Sequence, residues 1–400
     1  MRVVVAGGGI FGVTAALALR RRGRAVTLLD PGPIPHPLAE STDVSKVVRM
    51  DYGADEEYLA LGERALDGWR RWNAQWPAPL FHETGVAFLS RSAMTPGGFE
   101  HDSFHALLRR GHRPERLDAA AICGRFSAYR RGVFVDGYYN PEGGWAEAAA
   151  VVRALVSEAQ AVGVDVRGDV AAARLVERGS RVVGVATDCG EVVEADAVVV
   201  AAGAWTARLV PALAASLRGV GQPVFHLRPD DPEPYRAVRF PVFGADIART
   251  GYYGFPLHPD GVVKIANHGV GVAVEPGAAE RAVTAGQEAD LRAFLVETFP
   301  GLASAPIVHR RLCVYCDTLD EHFWIAPDPA RPELVVATGG SGHAFKFAPV
   351  LGDIIADAVD GAVTPRFRWR PEVDVVPGEE AARHHGPGEA HREPTGSGTP

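Results

Sequence analysis

The sequence predicts an α/β (α+β) chain, with a doubly wound layer of parallel strands and a second, mixed sheet that is mostly antiparallel. Three observations lead there. Apolar runs of strand length break into glycine turns at three distant places, residues 7–12, 201–204 and 339–342. The first and last of these turns lead into helical periodicity. From residue 219 to 311 the texture changes to more proline, aromatic residues and alternating apolar positions. The three strand-to-glycine junctions imply one site assembled from distant segments. The first domain is therefore discontinuous, over residues 1–85, 145–218 and 318–376, and the second takes 86–144 and 219–317.

Taken in order, MRVVVAGGGIFG starts as the strand Val3 to Ala6 and turns through Gly7, Gly9 and Gly12. A helix follows from Phe11 to Arg22, and Leu28-Leu29-Asp30 closes the next strand, 18 positions after Gly12. This is the Gly-x-Gly-x-x-Gly turn of a Rossmann-like βαβ unit, which binds a dinucleotide. The first two glycines let the backbone turn tightly and approach a pyrophosphate, and the third lets helix and strand pack. Ile10 and Phe11 lie in the turn, where the helix N-terminus offers free N–H groups to phosphate, and Asp30 can accept a ribose hydroxyl. The motif fits FAD and NAD alike.

A proline-rich loop, residues 31–37, precedes STDVSKVVRMDYG. Over 55–76, Tyr58, Leu61, Ala65, Leu66, Trp69 and Trp72 recur on one helical face. Thr84 to Ser90 reads as a strand, the alanine-rich stretch 144–162 as a helix, and 164–166 and 182–187 as short strands. Ala195 to Val200 is a strong strand that runs into Ala-Ala-Gly-Ala-Trp. Leu334 to Ala337 is the last, followed by TGGSGH and a helix from about Val350. Residues 377–400 lack the apolar side chains that would offset the entropy of ordering, so a disordered tail is expected, and His384, His385 and His391 in it are not credible ligands.

Four hundred residues with 47% hydrophobic content can bury a large core. A net charge of −8 argues against nucleic acid or an anionic membrane as the main partner. No uncharged apolar run reaches the ~18 residues that span a bilayer. The N-terminal stretch is broken by glycines and followed by Arg20-Arg21-Arg22, which does not suit a signal peptide. Four cysteines, Cys123, Cys189, Cys313 and Cys316, suit a reduced, cytoplasmic protein. Neither a second cysteine pair nor a histidine cluster completes a metal site beside Cys313 and Cys316.

The glycine turn, VVVAAGAW, GYYGFP, CVYCDTLDEHF and GGSGHAFKF together resemble the monomeric sarcosine oxidase family of flavoenzymes over residues 1 to 365. That family includes N-methyltryptophan, pipecolate, saccharopine and fructosyl-amino-acid oxidases, and lies within the D-amino-acid-oxidase-like flavoproteins. STDVSKVVRMDYG and GYYNPEGGWAEAA resemble the fructosyl-amine and saccharopine branches. The resemblance implies FAD as cofactor and hydride transfer from a secondary amine bearing a carboxylate, with O2 reduced to H2O2. It also implies a monomer. A fructosyl-amino-acid oxidase and a flavin dehydrogenase with another electron acceptor are the alternatives.

The same resemblance assigns residues. Cys313 matches the cysteine that holds FAD by a thioether; from the residues alone, a CxxC redox or metal pair or a buried structural thiol fits as well. Arg49 and Lys346 match the carboxylate clamp, against which stands an ion pair with an internal acid. Lys46 takes a place near the flavin where the family often has arginine. Gly340, Gly342, His343 and Lys346 complete the cofactor loop. Lys264 interrupts the apolar run GVVKIA and matches the lysine that promotes reaction with O2; an edge-strand lysine that deters aggregation is the plain alternative. On a strand Lys264, Ala266 and His268 would share a side. His268, Tyr253 and Tyr315 match pocket positions, with Tyr315 on the strand face of Cys313.

Overall fold

The computed structural model describes residues 1–278, 281–371 and 382–386. Its N-terminus is a βαβ unit of β1 (Arg2–Ala6), α1 (Ile10–Arg21) and β2 (Ala25–Leu29). The strand β1 lies between β2 and the strand Ala197–Val200, both parallel to it, in a six-stranded sheet. Arg331–Thr338 and Asp165–Arg167 extend the parallel run on either side, and Trp324–Asp328 closes one edge antiparallel. Val3, Val4 and Val5 are all buried, as expected of a strand covered on both faces. On one face α1 packs against the helices Ala148–Ala161 and Ala348–Val359.

The second sheet has nine strands. Its spine is the long antiparallel pair Leu217–Leu227 and Ile307–Thr318, with Val220 opposite Tyr315 and Gln222 opposite Cys313. Val263–Asn267 lies between Leu217–Leu227 and Tyr252–Gly254, so Lys264 is not on an edge strand. The pairing of Val242–Ala245 with Val86–Ser90 is parallel in an otherwise antiparallel sheet. Lys46–Val48, Gly144–Ala146 and Phe81–His82 make a small third sheet. Ala172–Arg178, Arg181–Thr187 and Val192–Glu194 make a fourth.

Two expectations change. The stretch 144–162 does not begin as a helix: Gly144–Ala146 is a strand, and the helix starts at Ala148. Gly143 and Gly144 have φ of +133° and +152°, outside any right-handed helix, and the strand is consumed in pairing on both sides. The tail is not uniformly disordered either. Residues 382–386 pack on the molecule, with Ala382 and Arg383 buried, because Arg383 finds two carboxylates that local composition does not reveal. The rest of 377–400 lies outside the described residues.

Candidate active site

The three glycine junctions converge on one groove of ≈ 510 Å³. Gly7, Gly9, Ile10, Phe11 and Asp30 line it from the βαβ unit, Gly203 and Trp205 from the second junction, Gly340 and Gly342 from the third. Gly7 has φ +112°, and a Cβ there would overlap the Ala201 carbonyl. A Cβ on Gly12 would overlap the carbonyl oxygen of Gly7, so the third glycine keeps helix against turn. The first turn of α1 carries no acidic residue to repel phosphate. Asp30 accepts from the N–H of Gly8 (2.7 Å) and of Gly32 (3.1 Å), and burial raises its pKa. A backbone cradle with free helix amides and an acid at its far end fits an extended dinucleotide.

A smaller pocket adjoins the groove, and Lys46 lines both. Arg49, Lys346, Tyr253, His268, Tyr315 and His343 supply its polar wall. Val86, Phe88, Val242, Phe243 and Ile247 supply an apolar one. No Asp or Glu lines it among the described residues. Arg49 follows the strand Lys46–Val48 and lies over the Tyr52 ring at 4.8 Å. It holds down the pKa of Asp51, which burial raises, and Asp51 also accepts from the Tyr138 hydroxyl at 2.8 Å.

Lys346 stands in the tight turn Phe345–Phe347, whose position Trp69 fixes by donating to the Lys346 carbonyl at 2.7 Å. Its Nζ donates to the Tyr52 hydroxyl (2.9 Å) and the His343 carbonyl (3.0 Å). His343 Nε2 faces the Glu321 carbonyl at 3.0 Å and so carries the proton. In the neutral ring, Nδ1 then accepts from Tyr52 at 2.9 Å. His343, expected on the cofactor loop, lies on the wall of the smaller pocket. Gly342, with φ +77°, leaves room for the Tyr315 ring, which a Cβ would overlap. Tyr315 and Tyr253 are hydrogen-bonded through their hydroxyls, and burial pushes Tyr253 up to about 12.

Lys264 lines neither space. It is buried against Asp43, Nζ to Oδ2 at 2.7 Å, donates to the Ser45 carbonyl at 2.6 Å and lies over the Phe255 ring at 4.6 Å. The strand ends at Asn267, so His268 turns off it into the pocket and does not share the lysine's surroundings. His226 contacts the other Asp43 oxygen at 3.2 Å. Burial lowers Lys264 to about 8 against the pull of Asp43. Burial works the other way on Asp43, but Lys264 and His226 hold it well below the usual carboxylate range.

Cys313 Sγ lies 3.9 Å from Lys46 Nζ. Burial opposes the charge on Lys46, yet Cys313, Tyr253 and Glu40 raise its pKa above the ordinary lysine value. Cys313 packs with Val224, Ala266 and Tyr315, whereas Cys316 packs with Trp324 and Leu334. Three residues apart on a strand, the two thiols face opposite sides and do not form a CxxC pair. Sequence reasoning missed Asp43 and His226, whose partners lie about two hundred residues away, and Glu40, a half-buried groove acid that desolvation raises to about 7. The one local signal was DVSK, with polar or charged residues on both sides of a single valine.

A family model described as FAD dependent oxidoreductase (DAO) matches residues 2–358. The chain belongs to this family. Monomeric sarcosine oxidase of Bacillus sp. (strain B-0618) is 27% identical over 358 residues, covering 88% of this chain and 90% of that protein. N-methyl-L-tryptophan oxidase of Salmonella typhimurium is 28% identical over 381 residues, covering 92% and 97%. Fructosyl amine:oxygen oxidoreductase (Amadoriase I) of Aspergillus fumigatus is similar in structure, with a TM-score of 0.79 and 26% identity over 96% of this chain and 93% of that one. FAD is therefore the dinucleotide of this family's groove. No helix among the described residues is long and apolar enough to cross a membrane.

Proposed function

We propose that this FAD-dependent oxidoreductase oxidises amino acids whose nitrogen is a secondary amine, either N-methyl or cyclic, with O2 as acceptor. The pocket carries the reading: Arg49 and Lys346 converge beside the cofactor groove, and no carboxylate among the described residues lines the space between them. A planar substrate carboxylate can take two parallel bonds from the guanidinium while the lysine adds a point charge. Each charge-assisted bond is worth about 1.5–3 kcal/mol.

Bound in the groove, FAD supplies the redox chemistry, accepting hydride from the carbon next to nitrogen and passing the electrons to O2. The residues do the rest. The α1 N-terminus and Asp30 hold the nucleotide. A ring nitrogen of His268 takes the proton of the substrate ammonium, since only the neutral amine has a lone pair to assist loss of hydride. Tyr253 and Tyr315 close the polar wall. Lys264, held by Asp43 outside both spaces, is the cation assigned to the negative charge that develops on O2. Cys313, whose Sγ lies 3.9 Å from Lys46 Nζ, is the residue for a covalent flavin link. Burial pushes Cys316 up to about 12 and leaves it unsuited. The likeness to monomeric sarcosine oxidase supports a monomer.

The apolar residues of the pocket, Val86, Phe88, Val242, Phe243 and Ile247, would give a fructosyl amino acid's hydroxyls no new partners for the water they lose. A panel of sarcosine, N-methylated amino acids, cyclic imino acids and fructosyl amino acids with a peroxide readout tests the proposal. Peroxide from the first three classes is expected. Flavin reduction without O2 uptake would make the protein a dehydrogenase, and no reduction by any of them would overturn the reading.

A further inference from the structure

We infer that Arg383 is a positioning residue for this pocket, a clasp from the C-terminal region that fixes the segments carrying His268 and Tyr315 and the loop whose Glu321 carbonyl holds the His343 ring. The substrate consequence rests on the amino-acid-oxidase reading; the clasp itself rests on geometry alone. The guanidinium is buried, and its donors go to three different places. Nη2 donates to Asp317 at 2.6 Å, Nη1 to Glu321 at 3.0 Å, and Nε to the Gly269 carbonyl at 3.2 Å. Gln222 reaches that same carbonyl at 2.6 Å. His384 continues the seat: its N–H donates to the His268 carbonyl and its Nδ1–H to the Ala248 carbonyl, both at 3.1 Å.

Each contact lies one step from a pocket side chain. Gly269 follows His268. Asp317 is two residues beyond Tyr315 and on the same face of its strand. Glu321 supplies the carbonyl that sets the His343 ring, and it does so at φ +63°, a left-handed conformation that a non-glycine residue adopts only when its surroundings hold it there. A buried ion pair adds little net stability, and its clearest use is to select one arrangement among several. Here the arrangement selected is the polar wall of the pocket.

The test compares wild type with Arg383→Ala, Arg383→Lys and Asp317→Asn, all as flavin-loaded full-length protein. Hydrogen exchange is read over residues 267–271 and 317–322, with β1 and α1 as internal reference. Affinity for a thioether carboxylic acid is read from the flavin spectrum, and reoxidation by O2 is followed after chemical reduction. Arg383→Ala should speed exchange in the two segments at least tenfold and leave β1 and α1 unchanged. It should weaken the acid tenfold or more, with reoxidation within twofold of wild type, and Arg383→Lys should recover part of the loss. If Arg383→Ala does not fold, Arg383→Lys and Asp317→Asn should show the same local pattern in smaller measure. Unchanged exchange in the two segments, or exchange that rises equally in β1 and α1, overturns the clasp. Exchange does not depend on turnover, so a wild type inactive on every amino acid would refute the oxidase reading and leave the clasp intact.

Discussion

Lys264 holds a charge where water is nearly absent, and that charge is balanced by Asp43. In Lys264→Met, reduction of the flavin by substrate should stay near wild type. Reoxidation by O2 should slow by roughly 10²–10³, the equivalent of ~3–4 kcal/mol of lost electrostatic stabilisation. Stopped-flow mixing of each half-reaction separates the two, and unchanged reoxidation would make the lysine structural. The same residue sets a pH dependence. Its pKa is lowered to about 8, so it is charged below that value and loses its proton above it. Asp43 stays ionised throughout, and reoxidation should therefore decline as pH rises through about 8. A rate flat across alkaline pH would contradict this. Cys313 and Cys316 differ by face: Cys313→Ala should release flavin on acid precipitation, whereas Cys316→Ala should leave the pellet yellow.

At the scale of elements, the βαβ unit depends on α1 lying against the first turn. Gly12→Val would drive a branched side chain into the Gly7 carbonyl. Overpacking of this kind costs roughly 1–3 kcal/mol. The turn would also lose its approach to phosphate, so FAD content measured by absorbance should fall further than thermal stability does. This unit was legible in the sequence because its signals are local: an apolar strand, spaced glycines and a closing acid all fall within residues 1–30. The Glu56–Gln75 helix was legible for a similar reason, through its apolar spacing. Gly144–Ala146 was not, since an alanine-rich context reads as helix and the pairing that makes it a strand is tertiary. Arg49 and Lys346 could be placed together only through the family resemblance; the structure brings them to one pocket. The Asp43–Lys264–His226 cluster and the seat of Arg383 left no periodic trace, because both depend on contacts between distant charges.

For the molecule as a whole, the charge distribution is inverted between surface and site. The chain is net negative by 8, yet the pocket beside the cofactor groove gathers Arg49, Lys346 and Lys46 with no acid among the described residues on its walls. On the proposed reading that contrast serves a substrate carboxylate, and the pocket draws on three sheets: Lys46 and Arg49 come from the region of the small third sheet, Lys346 from the turn after Arg331–Thr338 of the six-stranded sheet, and Tyr253 and Tyr315 from the nine-stranded sheet. The most direct test compares kcat/KM for an N-methyl amino acid and for the amine left when its carboxylate is removed, in wild type, Arg49→Ala and Lys346→Ala at equal flavin content. The acid should be preferred in wild type by roughly a hundredfold or more, and each substitution should remove roughly ten- to a hundredfold of that preference, as expected for losing one charge-assisted partner of about 1.5–3 kcal/mol. Equal turnover of acid and amine by the wild type would contradict the carboxylate clamp, and with it the reading of this protein as an amino-acid oxidase.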